Sequence, residues 1–224
     1  MHENFEYYLK NYGPIGSDVP PDAEIVERIS KIYPPSLAGF IGEFGFPSFH
    51  DGLFRLCDPE DFRAILALIF KADPDFSHKD CHVVGYSAFG VLKCWSPKYF
   101  GFDIELPLGS IYCSALTISD WKPTASADHM ASSLVPDDED VEFFDYDGEP
   151  MFARCTERYG KLRKGECFGF VPALAISGPY SPLRRVENVK RLSALEHFSI
   201  LAQLEDFSLM KITPDDVLPV RRVG

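Results

Sequence analysis

Five short apolar runs between residues 53 and 113 constrain the fold of this chain more than any other feature. They cover residues 53–57, 82–86, 90–95, 102–106 and 110–113 and are rich in β-branched and aromatic side chains, with Gly, Pro and Ser between them. Runs of this length and composition, divided by turn residues, are typical of strands that pair with their neighbours in sequence. We therefore predict an antiparallel meander.

Helical patterns flank this predicted sheet in the first half of the chain. Residues 25–32 carry Ile and Val at helical spacing after two prolines, which indicates an amphipathic helix. Asp58 can cap and Pro59 can begin a second helix, whose apolar stripe runs from Phe62 to Ile69. Helices that accompany an antiparallel sheet define an α+β fold, so we predict an antiparallel sheet with packed helices for this part of the chain.

Composition changes sharply near the middle of the chain. Residues 123–128 are small or polar and contribute little to a core, and residues 123–153 contain nine acidic side chains but no Lys or Arg. Stretches of this kind commonly separate domains. We therefore predict two units, one of residues 1–122 and one of residues 123–224 that includes an acidic segment, residues 136–149.

The second predicted unit is smaller and mixes helices with extended chain. Residues 151–159 favour a short helix that ends at Gly160, and residues 189–204 carry the broad apolar face of a longer helix. Between them, residues 167–176 are almost continuously apolar, which indicates a buried strand or extended segment. We expect a mixed α/β C-terminal unit, in which Arg184 and Arg185 are solvated residues before the longer helix.

The formal net charge of this 224-residue chain is −12, which repels DNA phosphates and anionic lipid headgroups. Direct binding to nucleic acid or to a membrane is therefore not expected. The N-terminal residues lack the basic start and apolar run of a secretory signal, and no apolar run approaches the roughly 20 residues that span a bilayer, so we expect a cytoplasmic protein. The six cysteines include no Cys-x-x-Cys pair, and in that compartment we expect buried, reduced thiols.

Motifs for catalysis or cofactor binding are incomplete in this sequence. Ser87 misses the Gly-x-Ser-x-Gly spacing of a serine nucleophile by one residue and suits a hairpin turn better. Glu166 stands where a phosphate-binding loop needs a lysine. His78, Cys81 and His82 lie close in sequence, but no second pair of metal ligands accompanies them. We therefore predict that the protein is not an enzyme and needs no metal or cofactor.

The acidic segment interleaves carboxylates with aromatic side chains and has two interpretations. One is a solvated acidic loop. The other is a protein interface, in which carboxylates attract a basic partner while aromatic side chains supply buried contact area. The second interpretation predicts ten contact residues: Asp137, Asp138, Glu139, Asp140, Glu142, Phe143, Phe144, Asp145, Tyr146 and Asp147.

Several blocks of sequence resemble two known bacterial domains. Residues 12–14 (Tyr-Gly-Pro), 19–20, 49–56 and 82–90 resemble the GAD-like domain. Residues 165–175 and 195–204 resemble the C-terminal domain typified by Tdi-type immunity proteins. Proteins with this pairing are similar to immunity proteins of type VI secretion effectors, which are commonly nuclease toxins delivered into competing bacteria. The resemblance implies a stoichiometric inhibitor and identifies no contact residue.

These observations lead to one main hypothesis and two alternatives. The main hypothesis is a cytoplasmic immunity protein that binds a type VI secretion effector in a 1:1 complex and neutralises it, with a DNase as the preferred target, by blocking or distorting its catalytic domain. The first alternative is a small-ligand binding protein or cryptic enzyme, with a pocket between the two units that Phe89, Trp95 and Tyr112 would line. The second is immunity against a toxin that is not a nuclease, such as an ADP-ribosyltransferase.

Overall fold

The computed structural model describes residues 2–12 and 19–224, so Gly13 and Pro14 of the first GAD-like block lie outside the described residues. The strands within these residues are β1 (Ser48–Phe49), β2 (Phe54–Leu56), β3 (His82–Ser87), β4 (Val91–Ser96), β5 (Phe100–Glu105), β6 (Ser110–Tyr112), β7 (Glu166–Phe170), β8 (Val189–Ser193), β9 (Ser208–Ile212) and β10 (Val217–Arg222). The α-helices are α1 (Glu3–Tyr12), α2 (Ala23–Ile29), α3 (Pro35–Phe44), α4 (Arg63–Phe70), α5 (Ser114–Thr117), α6 (Ala127–Ser132), α7 (Phe152–Tyr159), α8 (Leu174–Ser177) and α9 (Ala194–Leu204). None of these helices is long and apolar enough to cross a membrane.

An eight-stranded sheet forms the centre of the fold. Strands β1 to β6 pair antiparallel in chain order, β6 then pairs in parallel with β9, and β10 forms the last edge antiparallel to β9. Strands β7 and β8 form a separate antiparallel ribbon. Helices accompany this mostly antiparallel sheet, which confirms the predicted α+β fold and the predicted meander.

The sequence pattern does not predict strands β9 and β10. Both lie in the residues assigned to the second unit, yet they extend the sheet of the first unit. The pairing of Ile111 with Leu209 joins the two parts of the chain within that sheet. The division at residue 122 stays a prediction about sequence organisation, and the sheet itself runs across it.

Apolar side chains pack on both faces of the sheet. On β4, Leu92 and Cys94 contribute to a core that also contains residues of α4 and α9, whereas Trp95 contributes to a second core with Phe40 of α3. Successive residues of a strand point to opposite faces, so this alternation on β4 separates the two cores. Strand β3 is buried along its whole length, as expected of a strand covered on both sides.

The predicted helix start at Asp58 is confirmed. Its carboxylate accepts a hydrogen bond from the backbone N–H of Glu60 at 3.0 Å, and Pro59 begins a 3-10 helix that continues directly into α4. A side-chain oxygen in this position satisfies one of the N–H groups that a helix start leaves unpaired. The predicted apolar stripe from Phe62 to Ile69 is buried in the core.

The predicted helix over residues 189–204 is wrong in its first part. Residues Val189–Ser193 form β8, in which Val189 pairs with Phe170 of β7, and α9 begins only at Ala194. Strand β7 is buried, and its backbone N–H and C=O groups need partners that β8 supplies. This pairing outweighs the local helical pattern of residues 189–193. The apolar stretch 167–176 also divides, because the strand ends at Phe170 and a short helix follows.

The six cysteines are all free and buried, as predicted. Burial raises the pKa of Cys81 and Cys113 to about 11 and the pKa of Cys155 and Cys167 to about 12. These thiols are therefore protonated at neutral pH, and the reactive thiolate form is suppressed.

Candidate functional site

The acidic segment begins with an exposed turn, residues 137–140, which we call the acidic turn. Asp137 precedes a 3-10 helix formed by Asp138–Asp140, and all four side chains are exposed. Val135 and Val141 flank the acidic turn and are completely buried, which fixes both of its ends in the core. In the described part of the chain, no Lys or Arg forms an ion pair with the last three carboxylates of the turn.

Glu142 follows the acidic turn and serves the structure of the protein itself. Its Oε1 accepts hydrogen bonds from the backbone N–H groups of Phe143 at 2.9 Å, Phe152 at 3.0 Å and Met151 at 3.2 Å. The last two groups belong to the start of α7, where unpaired N–H groups favour a negative charge. Glu142 therefore caps α7 from outside the helix.

Phe143 lies in the protein interior, in a cluster of aromatic rings. Its ring centre is 5.5 Å from that of Phe89 and 5.6 Å from that of Phe170, and the side chain is only 7% exposed. The guanidinium of Arg184 lies 5.8 Å from the ring centre, close enough for a cation–π contact. Phe143 therefore anchors the acidic segment to the core of its own chain.

Asp145 is the buried residue of residues 145–149, which we call the tip of the acidic segment. Its Oδ1 accepts hydrogen bonds from the N–H groups of Asp147 at 2.9 Å and Glu149 at 3.0 Å, and its Oδ2 accepts one from Nη1 of Arg154 at 2.7 Å. Burial raises the pKa of this carboxyl group, but the hydrogen bonds from Arg154 and from the backbone outweigh burial, and the pKa is lowered. Asp145 thus stays ionised and holds the tip against α7.

Two arginines from a distant part of the chain position the tip. Arg185 forms an ion pair with Asp147, in which Nη2 donates to Oδ1 at 3.0 Å, and its guanidinium lies 5.6 Å from the ring centre of Tyr146. Arg184 donates to the backbone carbonyl oxygen of Asp145 at 3.1 Å. The prediction that this basic pair is a solvated helix flank is wrong, because both residues bind the acidic segment and Arg185 offsets part of its charge.

The ten predicted contact residues therefore separate into an exposed and an interior set. The acidic turn, Phe144, Tyr146 and Asp147 are exposed. Phe143 and Asp145 are buried, and Glu142 is partly buried and bound to α7. Phe143 and Asp145 are too deeply buried to contact a partner in this conformation, and Glu142 is held against the start of α7. Seven of the ten residues remain as candidates for an interface.

The three aromatic residues predicted to line a pocket between the units do not share one. Phe89 is buried and packs against Phe168, with ring centres 5.6 Å apart, and Trp95 is buried beside Phe100. Tyr112 is partly buried and lines a surface groove of about 370 Å³. The first two residues fill the core, so the small-ligand alternative keeps one of its three predicted lining residues, Tyr112.

Ser87 belongs to the hairpin between β3 and β4, as predicted. Its Oγ accepts hydrogen bonds from the N–H groups of Phe89 at 3.3 Å and Val91 at 3.0 Å, and the residue is fully buried. This hydroxyl is committed to the turn, a role that Ser side chains commonly take. Across residues 2–12 and 19–224, no group of three His, Cys, Asp or Glu side chains is arranged to hold a metal ion.

Comparison with known families identifies the class of protein that has this fold and this surface. Residues 129–205 match the C-terminal domain of the type VI secretion system (T6SS) immunity protein Tdi1, which supports a T6SS immunity protein. Residues 3–108 match the GAD-like domain. The two matches give this chain a GAD-like domain followed by a C-terminal domain of the Tdi1 type, which confirms the resemblance found in the sequence.

A solved structure shares this fold over the full length of the chain. It is the crystal structure of Atu4351 from Agrobacterium tumefaciens, which is 26% identical in sequence. The similarity covers 100% of this chain and 98% of that chain, with a TM-score of 0.86. A comparison with curated proteins gives no match. The arrangement of sheet and helices described above therefore recurs as a whole in a second protein.

Proposed function

We propose that this protein is the cognate immunity protein of a T6SS DNase toxin and binds the catalytic domain of that toxin in a 1:1 complex in the cytoplasm. The observation that carries the proposal is the acidic turn, which presents four exposed carboxylates in a domain of the Tdi1 immunity type. A DNase must attract DNA phosphates and therefore presents a cationic surface. The acidic turn has the charge that such a surface attracts.

The location of uncompensated charge supports the acidic turn over the tip of the segment. At the tip, Asp145 pairs with Arg154 and Asp147 pairs with Arg185. The last three carboxylates of the acidic turn form no such ion pair in the described residues. With a net charge of −12 for the whole chain, this turn adds a local negative field that accelerates the encounter with a basic partner.

Inhibition in this proposal needs no chemistry from the immunity protein. The acidic turn either covers the DNA-binding surface of the toxin or holds the toxin in a non-productive conformation. The two arrangements differ in one measurable respect, because a covered toxin releases DNA whereas a distorted toxin still binds it. Fluorescence anisotropy of a labelled DNA duplex, with the purified toxin domain and increasing amounts of this protein, separates them.

The primary test is titration of DNA cleavage by the catalytic domain of the effector encoded beside this gene. We expect cleavage to stop near one equivalent of immunity protein, and the two proteins to co-elute in size-exclusion chromatography with the mass of a 1:1 complex. Absence of both a complex and protection would overturn the proposal. A complex that protects against a toxin without DNase activity would keep immunity and correct the toxin class.

A charge-reversal pair tests the acidic turn itself. The double variant Asp138→Lys/Glu139→Lys should slow association about tenfold or more at low salt and flatten its salt dependence, because steering by exposed charges is screened. The matched control, Glu24→Lys/Glu27→Lys on exposed positions of α2, changes the net charge equally. Stopped-flow association rates that fall equally for both variants would show a whole-molecule charge effect and remove the acidic turn from the interface.

A further inference from the structure

The loop that joins β1 to β2 begins with three residues in the left-handed region of backbone conformation. His50, Asp51 and Gly52 have φ angles of 51°, 56° and 100°. We call these three residues the left-handed turn. Glycine adopts such angles freely, but in His50 and Asp51 the Cβ atom comes close to the following carbonyl oxygen, which costs free energy.

Buried neighbours hold the chain in this strained conformation. Phe49 and Leu53, on either side of the left-handed turn, are each 2% exposed. The N–H of Leu53 donates to the carbonyl oxygen of His50 at 3.0 Å, and the carbonyl oxygen of Leu53 accepts from the N–H of Ala88 at 2.7 Å. Strained residues persist only where the surrounding structure fixes them, and they are concentrated at functional positions.

Both strained side chains contact the Tdi1-type part of the chain. Nε2 of His50 lies 2.9 Å from the carbonyl oxygen of Pro136. A carbonyl oxygen can only accept, so Nε2 carries the hydrogen and donates it. Nζ of Lys161 lies 3.3 Å from Oδ1 of Asp51, but these two side chains are 72% and 83% exposed, and an ion pair so exposed contributes little. The hydrogen bond of His50 is therefore the stronger contact.

The carbonyl group that His50 binds leads directly into the acidic turn. Pro136 is buried, and the next residue, Asp137, is exposed. The bonds within the acidic turn are local, from the N–H of Asp140 to Asp137 and from the N–H of Val141 to Asp138, both at 3.2 Å. They maintain its shape but do not set its direction. Because a peptide group is planar, a bond to the oxygen of Pro136 also fixes the nitrogen of Asp137.

We propose that His50 is a positioning residue that holds the acidic turn in the orientation that binds the toxin. This inference rests on the function proposed above, and His50 acts only through the acidic turn. A loop that already has its binding conformation loses less conformational freedom on association. Molecules in which the turn is displaced do not bind, so the apparent Kd rises as their fraction grows.

The main test is the variant His50→Gly, which separates binding from stability. It removes the imidazole but also relieves the left-handed backbone, while glycine adds freedom to the unfolded chain, so the thermal unfolding midpoint should stay within about 3 °C of wild type. In the free protein, amide hydrogen exchange of Asp140 and Val141, followed by NMR, should become about fivefold faster, the equivalent of one neutral hydrogen bond. Kd for the purified toxin catalytic domain, measured by calorimetry, should rise about three- to tenfold.

Two further variants serve as controls. Lys71→Gly relieves the same kind of strain at an exposed residue with a φ of 47°. Lys71 follows α4, which packs in the other core, so exchange in the acidic turn and Kd should both stay within about twofold of wild type. His50→Gln keeps the backbone strain and a side-chain N–H donor, and it should restore the wild-type exchange and Kd.

The outcomes that contradict this inference differ from those that contradict the proposed function. Unchanged exchange in His50→Gly, or faster exchange with an unchanged Kd, overturns the inference alone when the wild-type protein still binds and inhibits the toxin. A thermal midpoint lowered by more than about 5 °C, with faster exchange throughout the sheet, assigns His50 a general structural role and also overturns it. Equal weakening by Lys71→Gly does the same. No binding by the wild-type protein overturns both proposals.

Discussion

Replacement of Glu105 by Gln should stabilise the protein, and the gain should grow with pH. Glu105 lies at the end of β5, partly buried, and pairs with Ser110 of β6. Burial and the nearby charge of Asp103 raise its pKa from 4.5 to about 7, against the opposing effect of Lys93. The ionised carboxylate is therefore disfavoured in the folded protein relative to the unfolded chain.

The size of the gain follows from this pKa. The folded protein holds the proton more tightly than the unfolded chain, so the free energy of unfolding falls as the pH rises from about 4.5 through about 7. At about 1.36 kcal/mol per pKa unit, and with the partial exposure of Glu105 taken into account, the full loss of unfolding free energy is on the order of 3 kcal/mol. The neutral amide avoids this loss, so Glu105→Gln should gain about 1 kcal/mol at pH 5.5 and about 3 kcal/mol at pH 8.5.

Urea unfolding followed by tryptophan fluorescence measures this difference. Both pH values lie above the sequence pI of about 4.9, where the net negative charge keeps the protein soluble. The control Glu139→Gln removes an exposed carboxylate and should change the free energy of unfolding by less than about 0.5 kcal/mol at either pH. An equal gain at both pH values, or a loss at pH 8.5, would refute the assignment of a raised pKa to Glu105.

Two further pairs of substitutions test the interior of the protein, each by chemical unfolding. Asp145→Ala should cost about 3 kcal/mol because Arg154 and two backbone N–H groups lose a buried partner, whereas Asp147→Ala, which removes an exposed ion pair, should cost less than about 1 kcal/mol. Equal costs would contradict the interior role of Asp145. Gly169→Ala should cost about 1–3 kcal/mol, because its Cβ would lie 2.5 Å from Nε2 of His197. Gly39→Ala, in open space within α3, should instead add about 1 kcal/mol, and a loss there would show that the space above α3 is not open.

Elements with strong local signals could be predicted from the sequence, and elements defined by distant pairing could not. The Asp58 cap and the Gly160 end need only neighbouring residues, and both are present. Strand β8 depends on a partner some twenty residues away. Within β9 and β10, Leu209 is the only buried residue, because these strands have one uncovered face and an open edge. Because one face is uncovered, these residues lack the alternation of apolar and polar side chains that indicates a strand.

Composition located the acidic segment but did not separate its two kinds of acidic residue. Arg154, Arg184 and Arg185 lie between 9 and 39 residues from the carboxylates and carbonyl that they bind, so sequence proximity does not reveal them. The residue pattern does not reveal them either, because aromatic side chains occupy both faces of this stretch and an acidic one lies on the buried face. Val141, Phe143 and Asp145 are buried while Phe144 and Tyr146 are exposed, which is the period of two of an extended chain.

That alternation has a consequence for how an immunity surface of this kind can change. In the proposed interface, the outward residues Phe144 and Tyr146 and the acidic turn before them have little effect on the core, so substitution there should alter toxin binding without unfolding the protein. Inward residues, Phe143 and Asp145, are bound by aromatic rings and by Arg154, so substitution there costs stability whatever the toxin. Charge alone therefore does not define the interface. We propose that specificity resides in these outward positions, where an exposed side chain can change without loss of core contacts.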